Sequence, residues 1–287
     1  MILVTGATGN LGSSVIEQLQ KNISKDQFIA TSSSDLGVDK LNKKGFKARI
    51  ANFDNINTLN EAFKGIDKLL LISTMAQNRF EQHKNVIDAA KNQGVKHIIY
   101  TSLAIKDINT SGVKDLMISH FETEDYIKSS GLTYTILRNT MYADALGQIL
   151  GENALNQDIN LPAGDGKVPF VLRREMGEGI ANLLIQDGHE DKVYAITGSK
   201  QFGLNEIAEA LSEISNSKIN YNNISSADFN AFLESIGFPE FAIYLHSGTI
   251  VDIKSTQYEI TDTTLEKLLG RQTASIKDFL KEVFNIK

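Results

Sequence analysis

The sequence predicts an α/β protein: a doubly wound parallel sheet with helices on both faces and a smaller C-terminal α/β lobe. Three observations predict it. Short β-branched runs alternate with longer segments of helical spacing, glycines stand where those helices should stop, and after about residue 140 the alternation gives way to glycine turns and further helices. Regular strand–helix alternation favours a parallel sheet, because each crossover has to return over the sheet before the next strand can pair. The 287 residues suit one extended domain, or a larger domain carrying a lobe, better than two independent globules.

In chain order, strands are expected at 2–5, 28–31, 47–50, 68–72, 97–101 and 133–138, where Val, Ile, Thr and Tyr cluster in runs of four to six residues. Helices are expected between them at 11–20, 36–44, 58–63, 80–92 and 117–129, with Gly45, Gly65, Gly94 and Gly131 as stops. Residues 1–140 thus form the nucleotide-binding half. In residues 141–287, Gly147, Gly151, Gly164 and Gly166 mark turns, and helices are expected at 175–186, 205–215 and 227–236. One more strand, 192–197, is expected to return to the main sheet, and the rest of this half is read mainly as a substrate lobe.

Composition removes several function classes. The chain carries 29 Lys plus Arg against 35 Asp plus Glu, and no basic run that could follow a phosphate backbone, so nucleic acid is not an expected partner. It has no cysteine, which excludes disulfides, thiolate zinc sites and cysteine nucleophiles. The longest apolar runs, such as residues 69–72, are too short to span a bilayer. The opening MILVTGATG starts a buried strand at residue 2, and the cytoplasm is the expected location. A monomer or homodimer is expected.

The strongest local signal is Gly6-Ala7-Thr8-Gly9-Asn10-Leu11-Gly12, which falls between the first strand and the first helix. Gly6 can take the turn off the strand, Gly9 leaves room for a pyrophosphate to reach backbone N–H groups, and Gly12 allows close packing of helix and strand. The helix N-terminus adds donors and partial positive charge. A Rossmann-type domain binding a nicotinamide dinucleotide follows. At the end of the second strand, enzymes that use NAD usually place an acid and those that use NADP an Arg. This chain has Thr31-Ser32-Ser33-Ser34 instead, so NADPH is admissible, NADH remains possible, and a Ser-rich turn is the alternative for any single serine.

A second signal is an absence. Alcohol oxidation and sugar epimerisation in short-chain dehydrogenases need a Tyr with a Lys four residues later, to move a hydroxyl proton along with the hydride. None of the eight tyrosines has one: Tyr100 meets Ala104, Tyr126 meets Ser130 and Tyr134 meets Arg138.

Several blocks in order then carry a resemblance: GATGNLG, LLLIST, QHKNVIDAAKNQGVKHIIYTS, SHFETEDYIKSSGLTYTILRNTMYAD, PAGDGK and GHEDKVYAITG. From Met1 to about Phe284 the chain resembles the NmrA-like family of atypical short-chain dehydrogenases/reductases. Within it, the resemblance is to bacterial NAD(P)H:quinone oxidoreductases of the second type, which are also similar to triphenylmethane reductases. The resemblance implies NADPH bound without flavin or metal, and reduction of quinones or related conjugated acceptors. It also implies that Gly6, Thr8, Gly9, Asn10 and Leu11 hold the pyrophosphate and that Ser33 stands where relatives often carry the Arg that selects NADP. Ser73 and Thr74 would line the cofactor, and Arg138, Asn139, Thr140 and Tyr142 would lie near nicotinamide and substrate. The family also includes members that bind dinucleotide without turning it over and act as redox sensors, which is the rival reading.

The missing Tyr/Lys pair agrees with the enzyme. Hydride addition to a quinone gives a hydroquinone anion whose parent phenol has a pKa of roughly 10, by analogy with Tyr. Water can protonate it, and the protein has mainly to position acceptor and cofactor.

Other candidates carry two readings each. His120 and Glu124, four apart on one helix, suggest a metal, a proton donor or substrate contact, or a surface His–Glu pair; without a second ligand pair no metal is expected. Ser102 sits at a strand end, as a cofactor contact or a cap. Arg79 is read as closing over substrate, His83 as lying on a solvated face, and Lys167 as reaching the pocket or starting a strand. Phe229, Phe232, Phe238, Phe241 and Tyr244 form an aromatic cluster, mostly core, of which one or two could wall an apolar acceptor site.

Overall fold

The computed structural model describes residues 1–151 and 153–286; residues 152 and 287, both within the expected lobe, lie outside it. The first half alternates as the sequence predicts: β1 (Ile2–Val4), α1 (Asn10–Asn22), β2 (Phe28–Ser32), α2 (Asp35–Lys43), β3 (Ala48–Ile50), α3 (Ile56–Ala62), β4 (Lys68–Leu71), α4 (Arg79–Asn92), β5 (His97–Leu103), α5 (Lys114–Ser129) and β6 (Thr133–Asn139). The four expected stop glycines all take positive φ, between 73° and 81°, where a Cβ would be strained.

The second half contains α6 (Leu146–Leu150), β7 (Ile159–Asn160), β8 (Lys167–Val168), α7 (Arg173–Ile185), β9 (Lys192–Ile196), β10 (Phe202–Gly203), α8 (Leu204–Ser215), β11 (Tyr221–Asn222), α9 (Ser226–Ser235), α10 (Glu240–Lys254), α11 (Thr264–Leu269) and α12 (Ile276–Val283). Gly147, read from the sequence as a turn, lies inside α6. Lys167 opens β8 and its Nζ meets Glu206 at 3.0 Å, so the strand reading holds.

The main sheet is seven-stranded, in the order β3-β2-β1-β4-β5-β6-β9. All its pairings are parallel. β9 is the strand that returns from the second half, with Lys192 opposite Thr135. Alternation along the strands divides their side chains between two apolar layers. Val4, Leu70, Ile99, Leu137 and Ile196 pack with α1 and α7. On the opposite face Leu3, Leu69, Leu71, Ile98 and Tyr100 pack with α3 and α4 and with Ile127 of α5. A third core, containing Leu146, Ile159, Val168, Leu211, Phe229, Ile253 and Phe279, belongs to the lobe. The two strand pairs there, β10-β8 and β11-β7, are two residues long each, so helices make most of that core. The carboxyl ends of β1, β2, β4, β5 and β6 share one edge of the parallel sheet, and the lobe follows directly from β6.

Candidate active site

At this edge the chain leaves β1 through Thr5 and turns at Gly6, whose φ is +59°. The Gly9 N–H donates to the Gly6 carbonyl at 2.9 Å, and the Ala7 N–H reaches across to the Thr31 carbonyl at 3.0 Å. Gly9 is the N-cap of α1 and supplies no side-chain acceptor, and the first turn has no acid. The amides of Asn10, Leu11 and Gly12 therefore start the helix without an intrahelical partner. Gly6, Thr8, Gly9 and Asn10 are exposed, while Leu11 is buried and anchors the turn. A Cβ on Gly12 would stand 2.8 Å from the Gly6 carbonyl carbon and 2.9 Å from Ala7 Cα, closer still to the Gly6 oxygen, so helix and loop touch backbone to backbone there. An exposed cradle of unpaired amides at a positive helix end fits an anionic diphosphate.

The neighbouring strand ends add hydroxyls with separate tasks. Ser34 caps α2, accepting from the Gly37 N–H at 3.3 Å, and Ser32 is buried against Gly37. Ser33 is exposed, as is Ser34, but unlike Ser34 it has no side-chain hydrogen bond among the described residues. After β4, the Ser73 N–H donates to Thr101 Oγ1 at 2.9 Å. The Thr74 hydroxyl donates to Gln82 Oε1 at 2.9 Å, and Gln82 in turn donates to Asp54 at 2.9 Å. That tether fixes the loop after β4, and no local pattern in the sequence announced it.

At the end of β6, Asn139 is 4 % exposed, and its Nδ2 donates to Tyr142 Oη at 3.4 Å while its Oδ1 has no partner. A buried acceptor left open costs roughly 1–3 kcal/mol, so the atom marks a place for a donor. Thr140 is buried and bonds through its N–H to the Ile196 carbonyl at 3.0 Å. Tyr142 lies with the Arg173 guanidinium 4.4 Å from its ring centre. Burial raises its phenol above the usual tyrosine range, so the ring is a neutral hydroxyl. Arg173 carries no sequence signal; it is placed by the N-terminus of α7, where its own N–H donates to Asp144 at 2.8 Å.

Asn139 faces the α1 side of the sheet, and Arg138, one residue earlier, faces the other. There its Nε and Nη2 grip Glu124 at 2.9 and 2.7 Å, and the Ser102 hydroxyl donates to the same carboxylate at 2.6 Å. Glu124 is 1 % exposed. The pair raises the Arg138 pKa, with the hydrogen bonds to Glu124 as the main cause. Guanidinium, carboxylate and hydroxyl thus tie α5 to the ends of β5 and β6.

The same face corrects three expectations. His120 and Glu124 do not form a surface pair; both are buried, and the Tyr100 hydroxyl pairs with His120 Nδ1 at 2.8 Å. Burial holds the His120 imidazole well below its ordinary pKa, with the Arg79 charge acting in the same direction, so it is neutral. His83 is fully buried instead of solvated, with Nδ1 3.1 Å from the Thr123 hydroxyl, and burial pulls its pKa down to about 3. Arg79 does not close over substrate. It is 0 % exposed, and it donates to the Thr74 carbonyl at 2.5 Å and to the Leu116 carbonyl and Ser119 Oγ at 2.8 Å each. It joins the loop after β4 to the start of α5.

The expected aromatic cluster divides. Phe229, Phe232 and Phe238 line a cavity inside the lobe, whereas Phe241 is 44 % exposed and packs against Tyr244 with ring centres 6.4 Å apart. Among the described residues no group of three His, Cys, Asp or Glu side chains gathers in a way that could hold a metal, and no helix is long and apolar enough to cross a membrane.

An open parallel sheet, a glycine loop at the head of its first helix and polar groups at the neighbouring strand ends define a Rossmann-type dinucleotide-binding fold. The NmrA-like family matches residues 1–275, and the chain belongs to that family. It is 35 % identical to quinone oxidoreductase 2 of Escherichia coli over 288 residues, covering 100 % of this chain and 99 % of that one. The crystal structure of the NADPH-dependent quinone oxidoreductase of that organism, complexed with NADPH, superposes with a TM-score of 0.91 over 99 % of this chain and 100 % of the other. Triphenylmethane reductase of Citrobacter sp. is 31 % identical and superposes with a TM-score of 0.91 over 99 % of both chains. NmrA, a negative transcriptional regulator solved with NADP, shares the fold at 17 % identity and a TM-score of 0.74, over 99 % of this chain and 95 % of its own.

Proposed function

We propose that this chain is an NAD(P)H-dependent oxidoreductase that reduces quinones or related conjugated acceptors without flavin. The observation that carries the proposal is the pairing, along one sheet edge, of the free amides heading α1 with the open Asn139 Oδ1 at the end of β6. Full-length similarity to a quinone oxidoreductase and to a triphenylmethane reductase supports the acceptor class.

Gly6, Thr8, Gly9, Asn10 and Leu11 would hold the pyrophosphate, and Ser33 would bond the adenosine ribose or its 2′-phosphate. Ser73, Thr74 and Thr140 would line the cofactor, with Arg138 supporting them through Glu124. When bound, the reduced nicotinamide supplies a hydride. Asn139 offers its open Oδ1 to the carboxamide and so orients the ring. Tyr142, kept neutral by burial, presents its hydroxyl to the acceptor oxygen that gains negative charge, where a hydrogen bond strengthens as the charge grows. Water completes the protonation. His120, neutral and paired with Tyr100, steadies α5 against β5 behind these groups.

The test is oxidation of NADPH and NADH by purified protein, with and without a panel of quinones, after its flavin content has been measured. Quinone-dependent turnover by flavin-free protein is the expected result. Tight dinucleotide binding with no turnover on any acceptor would instead favour a redox sensor. Tyr142→Phe should lower kcat about tenfold or more, the loss of one hydrogen bond to a charged oxygen, in a protein that still folds but is destabilised by up to about 1–3 kcal/mol because Asn139 Nδ2 loses its acceptor. An unaltered kcat removes Tyr142 from the site.

A further inference from the structure

The lobe encloses a cavity of about 500 Å³ between α6, β7, α9 and α10. None of the residues given a role at the cofactor or the reacting oxygen under the proposed function lines it, whereas Phe229, Phe232 and Phe238, of the cluster expected to wall an apolar acceptor site, do; it is within the size range of pockets that hold a whole drug-sized ligand. Its walls are mainly apolar, with Leu150, Ile159, Phe229 and Phe238 among them. Two lining residues remain open to solvent, Phe232 at 55 % and Ile236 at 52 % exposed, and give it an apolar rim. Gln148, Gln157, Asp158 and Asn160 add polar groups to the lining, and so does His246, whose ring stands edge-on to Phe238 at 5.4 Å; neither of its nitrogens is hydrogen-bonded among the described residues.

The cavity lies close to the reacting end of the site along the chain. One wall is α6, whose first lining residue, Gln148, lies six residues after Tyr142. A short 3₁₀ turn over Ala143–Ala145 leads straight into α6, so the separation along this helical run is about 10 Å. That length exceeds a benzoquinone ring, so only an acceptor carrying a substituent would span from Tyr142 to the cavity.

We propose that this cavity is the subsite for an apolar side chain or second ring system of the acceptor, so that the preferred substrates are quinones carrying a long alkyl or isoprenoid-like tail. This rests on the quinone-reductase reading above and specifies its substrate class. The walls remove the tail from water, and His246 accommodates one oxygen or nitrogen on a more polar extension. Burial lowers its pKa and leaves an uncharged imidazole, which suits such a lining.

The experiment compares 1,4-benzoquinones bearing no substituent, a butyl chain or a decyl chain, in the wild type and in Ile236→Trp. Ile236 is exposed at the rim, so an indole there narrows the entrance without disturbing the core. Each methylene that enters should raise kcat/KM about fourfold. The decyl compound should exceed the unsubstituted quinone by at least tenfold in the wild type. Ile236→Trp should remove most of that gain and leave the unsubstituted quinone within about twofold. A flat series in the wild type, or a gain that survives Ile236→Trp, overturns the subsite while the reductase reading stands. Equilibrium binding of the same three quinones separates the two ideas further. Affinity that rises with tail length and falls in Ile236→Trp, without turnover on any quinone, keeps the cavity as a ligand site and overturns the reductase. Binding independent of tail length overturns the subsite.

Discussion

Gly12→Ala isolates the step on which the whole site depends. A methyl at Gly12 would press on the carbonyl group of Gly6 and come within 2.9 Å of Ala7 Cα, and both are backbone atoms that cannot rotate away. The loop has to move by about 1 Å, at the usual overpacking cost of roughly 1–3 kcal/mol. Alanine favours a helix over glycine by about 1 kcal/mol, which offsets part of that. The net stability loss should be about 1 kcal/mol, too little to unfold the protein. Binding should suffer much more. The Gly6 carbonyl that must move also receives the Gly9 N–H at 2.9 Å, so the amides at the head of α1 are re-aimed together. Loss of one hydrogen bond to a charged phosphate oxygen is worth roughly 1.5–3 kcal/mol, a drop in affinity of about 10- to 100-fold. Titration calorimetry with NADPH gives the affinity, and urea unfolding gives the stability. An affinity within twofold of the wild type, in a protein that remains folded, would refute the assignment of this loop to the dinucleotide.

Three further outcomes follow from other parts of the site. Glu124→Gln leaves Arg138 and Ser102 without their shared carboxylate; because the Arg138 side chain is 35 % exposed and partly rescued by water, the expected loss is about 2 kcal/mol in urea unfolding, below the usual figure for a fully buried pair. A loss under about 0.5 kcal/mol would mean the brace is not structural. Acid should weaken the fold through His83. Buried, it binds a proton only near pH 3, but the unfolded chain binds one near pH 6.5. Stability from this group is therefore complete above pH 6.5 and falls as the pH drops, by about 2 kcal/mol at pH 5, with His120 acting in the same direction. Urea midpoints at pH 7 and 5 should draw closer in His83→Phe, and an unchanged pH difference would count against the argument. Ser33→Arg places a cation at an exposed position after β2 and should shift the NADPH-to-NADH preference about tenfold towards NADPH. No shift in the ratio of the two affinities would move the 2′-phosphate away from Ser33.

Much of the framework is local and therefore legible in the sequence. Each strand of the first half is a short apolar run, mostly with β-branched residues, each helix has its own period and four of the five have a glycine to end them, and the glycine loop declares itself by falling between the first strand and the first helix. Residues 192–197 also read as a strand, and residues 192–196 pair with β6 in the main sheet. These features survive folding because they depend on backbone preferences within a few residues. The lobe was less legible. Its strands are two residues long, below the length at which alternation can be read, and α6 runs through a glycine that resembled a turn.

The order in which the strands assemble and the fate of the polar side chains were decided by tertiary structure. Arg79 and His83 are one turn apart on α4, a spacing that by itself describes a solvated stripe as well as a buried one. They are buried because α5 supplies Leu116, Ser119 and Thr123 some forty residues later, and β5 supplies Tyr100. Glu124 likewise resembles a surface partner for His120 until Ser102 and Arg138 arrive on adjacent strands in paired register. The open Oδ1 of Asn139 has no counterpart in the sequence at all, since whether an atom lacks a partner depends on every element packed around it. The sequence by itself determined the elements and the dinucleotide loop, through preferences that act over a few residues. Which charges are buried, which are braced and which acceptor is left open only the packed fold decided, because desolvation and hydrogen bonding depend on neighbours far apart along the chain.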